Sequence, residues 1–339
     1  MKKIISLTLS LMLLLGILAV PALAEDRTCG TLSYLNMTEE EDSLLSTRRL
    51  NKVKILYLDG VLVGEDRWLY FDENKVATQH FYDSLNALLM GLQAGEVGAI
   101  KVPYYTGKYL CSSNDKLMMP IEYHPEKATS DADTWALNTL SDGYAFMLKE
   151  DNTALRDQLD AQITAMKEDG TLQKLVDEHI IKVADGGEPV AIAFEKFEGD
   201  PVKVAVTGDL PPMDYVAPDG SFAGFNTAVL AEIGKRLQKN IELVQVDSVG
   251  RALALSEGNV DVVFWTRGIS EGMMEHRRKD GMTGNEEITS ATDEEKAILR
   301  EGKNSDEETK AKLDTRDMPA GTIITQPYFS DIPLLVVLK

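Results

Sequence analysis

VKVAVTGDLPPMDYVAPDGSFAGFNTAVLAEIGKRLQKNIELVQVDSVGRALALSEGNVDVVFW, residues 202–265, is the stretch that decides the fold. Val202, Val204 and Val206 alternate with Lys203, Ala205 and Thr207, as in a strand with one face better buried. GDLPPMDY (208–215) reads as a turn, because adjacent prolines beside an Asp forbid regular structure. Residues 224–240 read as a helix, with Asn226 or Thr227 as its cap and Leu230, Ile233 and Leu237 along one face. The strand IELVQVD (241–247), a short helix over 249–257 and the strand VDVVFW (260–265) complete a β-α-β-α-β run. Strands and helices alternating at these lengths imply a parallel sheet with helices on its faces.

Outward from this core, the preceding stretch uses the same grammar. TLSYLN (31–36) reads as a strand, and Thr38 followed by Glu39, Glu40 and Glu41 as a helix start whose acids complement the helix dipole. KILYLDGVLV and RWLYF, between 53 and 72, read as a hairpin. Leu85, Leu88, Leu89 and Leu92 mark an amphipathic helix closed by Gly95, ahead of the strand VGAIKV (97–102). YDSLNALLMGLQAGEVGAI (82–100) and VDSVGRALALSEGNVDVV (246–263) set Asp-Ser, a leucine-rich helix, Gly and an apolar strand in the same order. That echo is either chance or the trace of two lobes built on one plan. Residues 151–182 carry two helices, and 183–201 form a linker rich in Gly, Glu and Asp. Residues 271–320 are charged and poor in aromatics, as in an acidic surface insertion.

The ends and the bulk composition bound the functional class. Lys2 and Lys3, an apolar run over 4–20 and Ala22-Leu23-Ala24 form the pattern of a secretory signal peptide, with cleavage expected after Ala24; an uncleaved anchor is the alternative. The expected location is the periplasm or the extracellular space. Of the residues 44% are hydrophobic and 27% charged, and the formal charge is −20. Such a surface repels nucleic acid and anionic lipid, so neither is an expected partner. Cys29 and Cys111 form a bridge or stay as two free thiols; the sequence leaves both open. The four histidines (His80, His124, His179 and His276) have no metal-site spacing, and no GxSxG elbow or P-loop is present. Neither a cofactor nor an enzymatic activity is expected.

The phrases PPM, D-G-x-x-x-G-F-N and L-x-x-G-x-V-D in 202–263, QPYF before an apolar run at 326–339, and DGT between helices at 169–171 resemble the family 3 extracellular solute-binding proteins of amino-acid-type ABC importers. The resemblance covers most of 28–270 and 323–339. It implies an α/β fold of the periplasmic binding protein type 2 class, with two lobes, mixed sheets flanked by helices and a cleft between the lobes. The order of the pieces departs from the family's. Residues 25–145 resemble its second lobe, 146–200 its final helices with a linker, 201–270 its opening lobe and 321–339 its crossover strand. A circular permutation or a truncated tandem would each produce this order.

By the same resemblance the chain delivers a small polar solute, an amino acid or a relative, to an ABC permease by cleft closure; a sensing or non-binding module of the same fold is the alternative. The implied ligand contacts are Asn36, Thr38, Tyr104, Asp209, Trp265, Thr266 and Arg267, with Thr38 equally readable as a plain helix cap. Several of the family's contacts are missing. Its carboxylate-clamping arginine falls at Met273, its ammonium-binding acid at Pro103, its covering aromatic at Ser248 and its first-loop tyrosine at Leu210. Losing a bidentate arginine and its counter-acid removes the strongest contacts for a zwitterion. Arg267 is the candidate substitute.

Overall fold

The structure, a computed structural model, describes residues 28–32, 60–64, 78–129, 137, 141–217, 219–247, 250–267, 319 and 321–339. In chain order the first elements are β1 (Thr28–Leu32), β2 (Leu62–Gly64), β3 (Thr78–Tyr82), α1 (Leu85–Ala94), β4 (Ala99–Pro103), α2 (Tyr104–Ser113), β5 (Leu117–Met118) and β6 (Ile121–Tyr123). There follow β7 (Asp142–Lys149), α3 (Thr153–Glu168) and α4 (Thr171–Val176), the last running on through a π turn at Asp177–Ile181 into Lys182–Ala184. The final group is β8 (Val202–Val206), β9 (Asp209–Leu210), β10 (Asp214–Val216), β11 (Phe222–Ala223), α5 (Phe225–Leu237), β12 (Ile241–Gln245), α6 (Gly250–Glu257) and β13 (Val262–Arg267). The chain closes with β14 (Thr322–Ile324), β15 (Phe329–Asp331) and β16 (Pro333–Leu338).

These strands build two main sheets, one for each lobe. The N-lobe sheet has the order β3-β1-β4-β16-β5, and the C-lobe sheet the order β12-β8-β13-β7-β14. In each, three strands run parallel and a fourth enters antiparallel from a distant part of the chain. β16 lies against β4 with Pro333 opposite Pro103, and β7 lies against β13 with Phe146 opposite Phe264. The lobes therefore exchange strands. The sequence echo has a structural counterpart, since α1–β4 and α6–β13 occupy equivalent places beside the strand that crosses over.

β7 shows why the exchange is stable. Tyr144, Ala145, Phe146, Met147 and Leu148 are all buried. Such an unbroken apolar run belongs to a strand covered on both faces. Phe146 stacks on Tyr328 with ring centroids 4.7 Å apart, and Phe264 lies 5.6 Å from it. The helices after β7 pack on the C-lobe, fixed by Arg236 of α5. Its guanidinium reaches Asp169 at 2.8 Å, Glu232 at 2.7 Å and the Thr171 hydroxyl at 2.9 Å. This is the structural role of the DGT phrase: hydrogen bonds from Thr171 and then from Arg236 hold Asp169 down to a pKa of about 2.

Several expectations are corrected. The first strand begins at Thr28, and TQHFY forms β3, a strand that its polar composition hides. Of the stretch read as a hairpin over 53–72, Leu62–Gly64 pairs with β6, and 53–59 and 65–72 lie outside the described residues. α5 is capped by Gly224 at φ 106°, where a Cβ would come within 2.6 Å of the Met213 carbonyl oxygen. Asn226 and Thr227 lie inside the helix and are buried. Cys29 and Cys111 are not bridged to each other. Cys29 packs with Ala99, Leu335 and Val337, whereas Cys111 packs against the cluster holding Ile100 and Val336. Strand alternation puts those two clusters on opposite faces of the N-lobe sheet, so the sheet separates the thiols. The signal-peptide stretch, Asn36, Thr38, Ser248, Met273 and, apart from Pro319, the 271–320 segment lie outside the described residues.

Candidate functional site

The lobes meet where β9 of the C-lobe lies against the first turn of α1, with Tyr215 of β10 beside Tyr109 of α2. Helix first turns carry N–H groups with no partner inside the helix, and each must find an acceptor elsewhere. In α1, Ser84 caps the Ala87 N–H at 3.2 Å, and the Leu85 N–H donates to Asp209 Oδ2 at 3.4 Å. Asp209 belongs to the other lobe, so this bond spans the cleft. Its second oxygen, Oδ1, is buried with no hydrogen-bond partner among the described residues. Tyr109 of α2 and Tyr215 of β10 face each other nearby, ring centroids 6.4 Å apart. Lys108 pairs with Asp185 at 2.5 Å, tying α2 to the end of the helices that pack on the C-lobe.

α2 opens differently. Its N-cap is Pro103, which has no side-chain acceptor to offer. Asp331, from the β15–β16 crossing, takes that place and accepts from the Tyr105 N–H at 3.1 Å. Tyr104 is half-buried, in edge contact with Tyr105 at 4.9 Å and Tyr123 at 5.0 Å. Burial raises the pKa of all three phenols, pushing Tyr105 up to about 12.

Behind the turn lies a buried polar cluster. Asp214 is 3% exposed and accepts from the Thr207 N–H at 3.0 Å and the Thr207 hydroxyl at 3.2 Å. Burial pushes its carboxyl up to about 6, hydrogen bonds from Thr207 and Gly208 pull it down, and Asp209 adds to the rise. The Tyr328 hydroxyl donates to Asn226 Oδ1 at 2.8 Å. Leu210 is core. Among the described residues, no group of three or more His, Cys, Asp or Glu is placed to hold a metal ion, and no helix is long and apolar enough to cross a membrane.

Of the sequence-derived candidates, the structure brings Asp209 and Tyr104 to the lobe junction. Trp265 ends the expected strand, and Thr266 and Arg267, expected beyond it, are strand residues too; the three pair by backbone with Ala145, Tyr144 and Gly143. The ladder continues because β7 runs alongside them. Asp331 and Asp214 escaped the sequence reading. Their signal was a lone acid inside an apolar run, FSDIPLLVV and PPMDYV.

Residues 202–276 match the model of the bacterial extracellular solute-binding proteins, family 3. By this match the segment is similar to the family 3 solute-binding proteins. The matched family is one of binding proteins and not of enzymes. No curated protein matches the chain. Among solved structures, the arginine-bound form of truncated ArgBP from T. maritima is 10% identical, with a TM-score of 0.34 over 94% of this chain and 90% of that one. The Bordetella pertussis BvgS VFT2 domain is 11% identical, with a TM-score of 0.32 over 92% and 79%. NikA from Staphylococcus aureus, in complex with Ni(L-His)2, is 14% identical, with a TM-score of 0.34 over 77% of this chain and 57% of that one. The chain thus spans less than two thirds of NikA's length. The matched segment contributes Asp209 to the junction.

Proposed function

We propose that this chain is an exported solute-binding protein that takes a small polar solute, an amino acid or a relative, between its lobes and presents it to an ABC permease. Its order of pieces is that of a circularly permuted family 3 protein. The observation that carries this reading is the pair of sheets with one strand order, exchanging a strand each, with the family 3 match in one of them. A ligand bridging such lobes favours the closed form by its differential affinity. Asp209 and Tyr104 at the junction are its proposed contacts, with Trp265, Thr266 and Arg267 at the end of β13 and Asn36 and Thr38 in the other lobe. With proline at the family's ammonium-binding position, the solute is not an ordinary α-amino acid held at both charged ends.

A thermal-shift screen of the mature chain against amino acids, short peptides and organic acids tests this reading. A bound solute at a hundred times its Kd raises stability by about 2.7 kcal/mol. The shift should vanish in Arg267→Ala; an unaltered shift removes Arg267 from the site, and no shift with any solute refutes the importer role. The Asp209–Leu85 contact favours a second reading, a module that closes without solute. On that reading Asp209→Ala expands the solute-free protein in small-angle scattering and leaves the screen empty.

A further inference from the structure

The chain crosses between its lobes twice, and each crossing carries an aspartate. Asp142 opens β7 and Asp331 closes β15, and the strand register sets the two opposite each other. A single residue, Ile332, separates Asp331 from Pro333, the first residue of β16 in the other sheet. Asp331 is 4% exposed. Its Oδ1 accepts from the Ile332 N–H at 2.8 Å and its Oδ2 from the Tyr105 N–H at 3.1 Å. The Tyr104 N–H donates to the Ile332 carbonyl at 2.9 Å, so the crossing is pegged to the first turn of α2.

The groups around Asp331 are acids and phenols: Asp142 on β7, Tyr104 and Tyr105 on α2, and Tyr123 on β6. Lys108, one turn along α2, is engaged by Asp185. Among the described residues no Lys, Arg or His forms an ion pair with Asp331. Burial pushes its carboxyl up to about 8; the Tyr105 and Ile332 N–H groups pull it down, and Asp142 raises it further. A carboxyl buried without a counter-charge is held most cheaply in its neutral form.

We infer that the Asp142–Asp331 pair makes the hinge a proton-dependent joint. With Asp331 protonated, the crossing stays docked on α2 and the lobes stay together. When that proton passes to bulk water, the new carboxylate stands buried beside Asp142, moves towards solvent and frees the crossing. The sign follows from linkage. The docked hinge holds a proton that an exposed Asp has already lost, so docking weakens as pH rises from the ordinary value of 3.8 to about 8.

Small-angle scattering of the solute-free full chain, from about pH 6 to about pH 9 at fixed salt, tests this hinge independently of any solute. The radius of gyration should rise with a midpoint near the Asp331 value. Asp331→Asn, which mimics the protonated form, should stay compact throughout. Asp142→Asn should move the midpoint to lower pH, because the neighbouring charge that favours protonation is gone. Asp214→Asn, a buried acid away from the crossing, should leave the midpoint in place. A flat wild-type profile, an Asp331→Asn profile that follows the wild type, an unmoved midpoint in Asp142→Asn, or loss of the transition in Asp214→Asn would each overturn the inference. If circular dichroism finds Asp331→Asn unfolded, infrared spectroscopy of the wild type decides instead. A protonated-carboxyl band at neutral pH that disappears with the expansion supports the joint, and absence of that band overturns it.

Discussion

In the C-lobe the first-turn N–H groups of α5 donate within their own lobe, Phe225 to the Pro212 carbonyl at 3.0 Å and Asn226 to that of Met213 at 2.8 Å. In the N-lobe, the first turns of α1 and α2 are met by aspartate side chains from outside it, Asp209 from β9 and Asp331 from the crossing. The sheets have one strand order, yet the helix ends are satisfied by opposite strategies. A lobe that satisfies its own helix termini keeps its geometry when its neighbour moves. A lobe whose termini are satisfied by the neighbour senses that movement directly, because opening strips acceptors from two helices at once. The N-lobe is therefore the responsive half and the C-lobe the frame.

The strongest way to break this contrast is to remove residues 333–339. β16 lies between β4 and β5, and its Leu334, Leu335, Val336 and Val337 are buried. Hydrogen exchange should show the N-lobe strands losing protection while β8, β12 and β13 keep theirs. Protection lost equally in both lobes would mean that the frame is not independent. Next come matched core deletions. Phe146→Ala in the C-lobe sheet should cost about 3–5 kcal/mol in denaturant unfolding, and Leu88→Ala in α1 about 2–5 kcal/mol. If only Leu88→Ala also expands the protein in scattering, the responsive half is located. The smallest expected effect is that of Asp214→Asn. The folded state keeps a proton on Asp214 between the ordinary pKa of 3.8 and about 6, so wild-type stability falls as pH rises through that window. The fall attributable to Asp214 is up to about 3 kcal/mol. The variant should show a shallower decline there, measured by urea midpoints at several pH values.

The C-lobe was legible from sequence because its signals are local. The valine alternation of 202–206, the leucine spacing of 225–237 and the Gly-bounded strand at 262 each lie within one element. What the sequence hid was non-local. Thr266 and Arg267 lay past the readable end of their strand because the strand that extends their ladder, β7, is far away in the chain. Asn226 looked like a cap, but the glycine before it fits the tight approach to Met213 and the asparagine is needed by Tyr328. Asp209 entered through the family resemblance, which puts the loop after the first strand at the cleft. Asp331 was missed because its partner, the Tyr105 N–H, is a backbone group and leaves no mark on the sequence.

The exchange of strands has a consequence for how the molecule is made. Synthesis delivers β1, β3 and β4 early, but the strand that completes their sheet, β16, is the last element of the chain. The N-lobe sheet therefore stays incomplete until β16 has been made, while β7 must wait for β8 and β13 before it has a ladder to join. Contacts at such separations make folding slow, since each loop closes before its contacts repay the lost entropy. Until then both sheets stay open-ended, and β16 acts as the key that seals the half made first.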